Sequence, residues 1–138
     1  MAMVFETPFG RVEVPGELVG EIISIELTNC FHWGCVGSGI DYVDVVRFMH
    51  GDKDLVLLRR IARYILVYAE NLVLTSVVYL KVTDPGKVEA YLEDMRDVIE
   101  SLRRKYREVK EFTGDPMELR ALVDQMLHIC LSAGLDPF

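Results

Sequence analysis

Hydrophobic residues recur at strand spacing in some segments of this chain and at helix spacing in others. Short apolar segments bounded by Pro and Gly predict a hairpin with strands over residues 2–6 and 11–14. Apolar and polar residues then alternate over residues 19–28 and again over residues 72–83, which is the pattern of strands with one face toward a core. The sequence therefore predicts a small, mostly antiparallel sheet of four strands.

A period near 3.6 residues indicates helices elsewhere. Apolar stripes predict helices over residues 42–50 and 53–69. Two further helices, over residues 85–112 and 116–133, each begin with an Asp-Pro pair, which is an N-cap followed by proline at the first helical position. The short loop between these two helices predicts an antiparallel helical hairpin that packs against the sheet. We expect a single α+β domain over residues 1–138.

The most apolar part of the chain, residues 61–82, is interpreted as a buried helix followed by a buried strand. It contains Arg63, Glu70 and Lys81, and each charge near the middle of a membrane span is costly. The first residues of the chain lack the basic region and the long apolar region of a secretory signal. We therefore expect a cytoplasmic protein with no membrane partner.

Composition adds an expectation of heat stability, because the chain has two Asn and one Gln among many charged residues. The formal charge of −7 argues against a general attraction to nucleic acid. Arg103, Arg107 and Lys110 nevertheless form a local basic group in the helix over residues 85–112, so an accessory nucleic-acid-binding subunit remains an alternative. Interleaved acidic residues favour a solvated, salt-paired face instead.

The segment over residues 30–39 concentrates reactive residue types. Cys30, His32 and Cys35 offer the thiolates and imidazole that zinc prefers, although their spacing lacks the second paired motif of zinc domains. A fourth ligand would come from one of three residues elsewhere in the chain: His50, His128 or Cys130. A small zinc-binding enzyme is therefore one hypothesis for this protein.

Three other interpretations of the same segment remain open. Cys35 in a Gly-rich loop before a helix is a setting for a reactive thiol. The three glycines that follow Trp33 could let the backbone bind a phosphate, but the neighbouring Asp41 would repel it. The simplest interpretation is structural: Cys30 and Cys35 form a local disulfide or lie buried as small hydrophobic residues.

The leading hypothesis is a non-enzymatic interaction protein, either a homodimer or a small subunit of an intracellular assembly in a thermophile. The helix over residues 85–112 would be about 40 Å long, which is more than a domain of this size easily covers. Its apolar surface and that of the last helix then require a partner. The predicted interface residues are Trp33, Tyr79, Tyr106, Val109, Phe112, Leu127 and Leu131.

Overall fold

The computed structural model describes residues 2–7, 10–15, 40 and 42–138. It begins with two antiparallel strands, β1 (Ala2–Thr7) and β2 (Gly10–Pro15). Among the described residues these strands pair only with each other. The helices that follow are α1 (Tyr42–Met49), α2 (Leu55–Thr83), α3 (Val88–Glu111) and α4 (Pro116–Ser132), with a 3-10 turn at Pro85–Lys87 between α2 and α3.

The predicted α+β fold is wrong. The described chain is a helical bundle, and the four-stranded sheet on which the helices were expected to pack is not part of it. Residues 72–83, predicted to be a central strand, form the second half of α2, which continues directly from the predicted helix over residues 53–69. The predicted strand over residues 19–28 lies outside the described residues. The two strands at the start of the chain form a hairpin, and β2 contacts α2.

Burial on several sides explains why residues 72–83 do not show a helical period. Thr75, Ser76, Val77 and Val78 are consecutive, and each is at most 7% exposed. A helix surrounded in this way has no polar stripe, so its sequence is rich in the β-branched residues that also favour strands. The alternation of apolar and polar residues over residues 72–83 was therefore misleading as evidence for a strand.

The hydroxyl groups in this part of α2 are satisfied by the helix itself. Thr75 Oγ1 donates to the Asn71 carbonyl at 2.8 Å, and Ser76 Oγ donates to the Leu72 carbonyl at 2.7 Å. These bonds to the carbonyl four residues earlier let Thr and Ser lie inside a helix without an unpaired polar group.

The two following helices pack on α2 to complete the bundle. Near the start of α2, Arg59 Nη2 donates to the Phe112 carbonyl at 2.7 Å, just beyond the end of α3. Farther along α2, Ser76 contacts Tyr91 near the start of α3. This order shows that α2 and α3 run antiparallel. The connection differs from the prediction, because the Asp84 side chain makes no N-cap hydrogen bond.

The helical hairpin of α3 and α4 is present. Asp115 caps α4, and its side chain accepts from the Met117 N–H at 2.8 Å. The core extends through all four helices, and its largest fully buried side chains are Tyr64, Phe48, Leu57, Leu58, Ile61, Ile65, Leu102, Leu119, Met126 and Val45. Removal of this apolar surface from water is the main stabilising contribution to the bundle.

Residues 135–138 lie against the core rather than in solvent. The Tyr64 hydroxyl in α2 donates to the Pro137 carbonyl. The Phe138 ring lies 5.7 Å from the Phe48 ring and 5.5 Å from the Tyr64 ring, measured between centroids. These contacts connect α1, α2 and the residues after α4.

Cation–π stacking joins α4 to α1. The Arg120 guanidinium carbon lies 3.8 Å from the centroid of the Phe48 ring, and Arg120 Nη1 donates to the Phe48 carbonyl at 2.8 Å. A single arginine thus satisfies a carbonyl near the end of α1 and covers an aromatic face.

Replacement of Tyr64 by Phe tests the contact with residues 135–138. Tyr64→Phe leaves the Pro137 carbonyl without its donor, so we expect the free energy of unfolding to fall by about 1 kcal/mol. Urea unfolding followed by circular dichroism measures this loss. Tyr106→Phe is the control, because the Tyr106 side chain is half-buried and no hydrogen bond of its hydroxyl is found among the described residues. Equal losses in the two variants would contradict the role of the Tyr64 hydroxyl.

Candidate interaction surface

The predicted zinc site is not supported. Cys30, His32 and Cys35 lie outside the described residues. Within residues 2–7, 10–15, 40 and 42–138, no group of three or more His, Cys, Asp or Glu side chains is arranged to hold a metal ion. Within the described residues neither a metal-binding group nor a disulfide is found, which contradicts the zinc and disulfide expectations for that part of the chain.

Cys130, a predicted fourth zinc ligand, belongs to the core. It is a free cysteine in α4 with no exposed surface, and burial raises the pKa of its thiol to about 12. Zinc binding and nucleophilic attack both require the thiolate. Cys130 therefore acts as a small hydrophobic residue, whereas His50 and His128, the other two predicted ligands, are exposed.

A cleft between α3 and α4 brings polar residues near His128. Its Nε2 atom lies 3.5 Å from Ser132 Oγ, and Asp94 and Asp97 of α3 line the same cleft. The distance between histidine and serine is at the limit for a hydrogen bond, and both side chains are exposed to water. The cleft therefore lacks the short contacts and the exclusion of water that an activated serine requires.

The predicted basic group is largely engaged within the chain. Arg103 Nε lies 3.1 Å from Glu70 Oε1, which joins α3 to α2. Lys110 Nζ lies 5.3 Å from the centroid of the Tyr106 ring. Arg107 is exposed and forms no ion pair with another described residue. The three residues do not form an unoccupied basic patch.

The predicted interface residues have different surroundings. Trp33 lies outside the described residues. Val109 has no exposed surface, and Leu131 is 50% exposed. Tyr106, Phe112 and Leu127 are half-buried and pack against the core, and Tyr79 is half-buried as well.

The surface that sequence reasoning missed is a groove between α2 and α3, here called the α2/α3 groove. Its volume is about 280 Å³, and the residues that line it are Val73, Leu92, Met95, Arg96, Ile99, Glu100 and Arg103. Val73 comes from α2 and the remainder from α3. The apolar side chains form the base, and the Glu70–Arg103 ion pair bridges the two helices beside them.

Two of the exposed large apolar residues of the protein are leucines in this part of α2 and α3. Leu74, next to Val73 in α2, is 50% exposed, and Leu92 in α3 is 42% exposed. The strand interpretation placed Leu74 toward the core. In a helix it instead shares a stripe with Arg63, Val67, Glu70 and Lys81, and that stripe was the signal in the sequence that could have identified it.

The helix α2 is long and apolar enough to cross a membrane by length and composition. Its most apolar part is 44% buried within the protein. Long, buried core helices meet the same criterion, and α2 packs against α1, α3 and α4. This arrangement explains its apolar composition without a membrane.

The buried thiol predicts how stability depends on pH. The folded-state pKa of Cys130 is raised from 9.0 to about 12, so the folded protein keeps a proton that the unfolded chain loses between these values. The stability is therefore complete below pH 9 and decreases as the pH rises toward 12. Burial raises the pKa of Tyr64, Tyr68 and Tyr91 as well, which adds to the loss.

Cys130→Ala isolates the contribution of the thiol. We expect this variant to be less stable than the parent at pH 7 because of its cavity. It should lose less stability between pH 8, which lies below the unfolded thiol pKa of 9.0, and pH 10.5, which lies between that value and the raised pKa. Thermal unfolding at both pH values measures the difference. Parallel losses in parent and variant would show that the thiol does not contribute.

The α2/α3 groove is thus the described surface that combines exposed leucines with charged residues at its edge. Comparison of the chain with protein-family models, with curated proteins and with solved structures finds no match.

Proposed function

We propose that this protein is a non-enzymatic interaction protein that associates with a protein partner through the α2/α3 groove, as a homo-oligomer or as a small subunit of an assembly. The observation that supports this most directly is the exposure of Leu92 in the groove and of Leu74, which follows the lining residue Val73 in α2. The cytoplasm of a thermophile is the proposed setting, on the basis of composition.

The groove has the arrangement of an interface centre. Val73, Met95 and Ile99 line the groove together with the exposed Leu92, and the exposed Leu74 follows Val73 in α2. Polar and charged side chains at its edge correspond to the rim that surrounds the apolar centre of protein interfaces. A partner that inserts an apolar side chain here would remove both leucines from water.

The remaining chemistry supports an interaction role over catalysis. Cys130 is held as a neutral, buried thiol. His128 and Ser132 are exposed and weakly associated. Ion pairs such as Asp44 Oδ1 with Arg60 Nη2 at 3.1 Å connect helices to one another.

Replacement of Leu74 by Glu tests the proposal. The charge would be solvated in the isolated chain, because Leu74 is already 50% exposed, but it would be desolvated in an interface. We expect the parent to self-associate or to bind its partner and Leu74→Glu to weaken that association at least tenfold, about 1.4 kcal/mol. Light scattering after size exclusion, from micromolar to submillimolar protein, measures the assembly.

Met117→Glu is the matched control. Met117 is 62% exposed at the start of α4, away from the groove, so its replacement introduces the same charge on the surface without affecting the proposed contact. Similar melting temperatures of the two variants would show that both fold. The proposal would be contradicted if the parent stays monomeric throughout the concentration range and no bound partner is recovered with it.

A further inference from the structure

The outer face of α3 carries a single stripe of six charged residues. They follow one another at alternating spacings of four and three residues, which keeps them on one side of the helix. The stripe, here called the charged stripe, consists of Glu89, Glu93, Arg96, Glu100, Arg103 and Arg107. All six residues are exposed.

The order of charges along the stripe is complementary to itself when reversed. From its start it reads acidic, acidic, basic, acidic, basic, basic. When a second copy runs antiparallel beside it, Glu89 meets Arg107 and Glu93 meets Arg103. In the same register, Arg96 of each copy meets Glu100 of the other copy. Every charge of the stripe then faces an opposite charge, and the two-fold axis produces each of these pairs twice.

Most of these charges have no ion-pair partner among the residues that the structure describes. Arg103 pairs with Glu70. The other five residues of the stripe form no ion pair with another described residue, although Arg96 and Glu100 are four positions apart on one helix. They are therefore available for contacts with another molecule.

The centre of this register coincides with the exposed apolar surface. The two-fold axis would pass α3 between Arg96 and Glu100, and both residues line the α2/α3 groove with Val73. Leu74 follows Val73 directly, so it lies close to the same level along the bundle. Stacking of α3 on α3 would bring the Leu74 side chains of the two copies toward each other at the axis.

We propose that the occupant of the α2/α3 groove is a second copy of this chain, bound as a two-fold dimer in which the charged stripes of the two α3 helices pair antiparallel. This proposal rests on the interaction function proposed above and names its partner. The leucines supply the apolar contact, and the charge order selects the direction and register of the helices.

Charge reversal in two complementary variants tests this register. One variant carries Glu89→Arg and Glu93→Arg, and the other carries Arg103→Glu and Arg107→Glu. In a dimer of either variant, four attractive pairs become repulsive, so we expect each Kd to rise at least about tenfold at low salt. Sedimentation equilibrium measures the Kd of each variant alone.

In a mixture of the two variants, every pair between the charged stripe of one variant and that of the other is again attractive. The first variant then presents basic residues at both ends of the stripe, and the second presents acidic residues at both ends. We expect a heterodimer whose Kd returns to within about threefold of the parent value. Native mass spectrometry distinguishes the heterodimer from either homodimer. A parallel dimer would not weaken in the separate variants, because like charges already face one another in that arrangement.

Asp94→Arg with Asp97→Arg is the matched control. It makes the same change in net charge on the same helix, but these residues line the cleft between α3 and α4. The parent is acidic, so a general effect of net charge would strengthen dimers of this control and of the first variant alike. The proposal expects the control to stay within about threefold of the parent and the first variant to weaken.

The outcomes separate this inference from the proposed function. If the parent is a dimer that Leu74→Glu disrupts but the mixture gains nothing over the separate variants, the antiparallel register is overturned and the interaction function stands. A parent that associates with a different protein at the groove and not with itself overturns the second copy as occupant. A strictly monomeric parent with no partner overturns both.

Discussion

The fold depends on the burial of α2. This helix is 29 residues long, and the other three helices all pack against it. Twelve of its side chains are buried, including the consecutive group from Thr75 to Val78. A helix this apolar is stable in water only if neighbouring elements cover most of its surface. The positions of α1, α3 and α4 follow from that requirement.

Burial of apolar side chains determines the arrangement of the helices, and polar contacts between the helices add to it. Arg59 binds the carbonyl of Phe112 beyond α3, Arg60 binds Asp44 in α1, and Arg120 of α4 stacks on Phe48. Each of these arginines uses its long apolar stem and planar head group to bridge two elements. These three basic residues are therefore engaged within the protein.

The surface of α3 results from its position in the bundle. One side contacts α2, another contacts α4, and the outer side remains exposed and carries the charged stripe. The α2/α3 groove lies between these two helices, and Val73 of α2 and Ile99 of α3 line it. The association proposed above rests on this apolar groove and on the charged stripe beside it.

The sequence by itself determined the local signals. The Asp115 cap, the left-handed Gly51 and Gly134 after their helices, and the helical hairpin all follow from short-range preferences. Tertiary structure decided whether residues 72–83 are strand or helix, because β-branched residues buried on several sides fit either element and only their neighbours select one. It also decided that Leu74 faces outward, that Cys130 and Val109 face inward, and that α2 and α3 leave a groove between them. Those outcomes depend on which faces of distant segments meet, and hydrophobic periodicity within one segment cannot specify that contact.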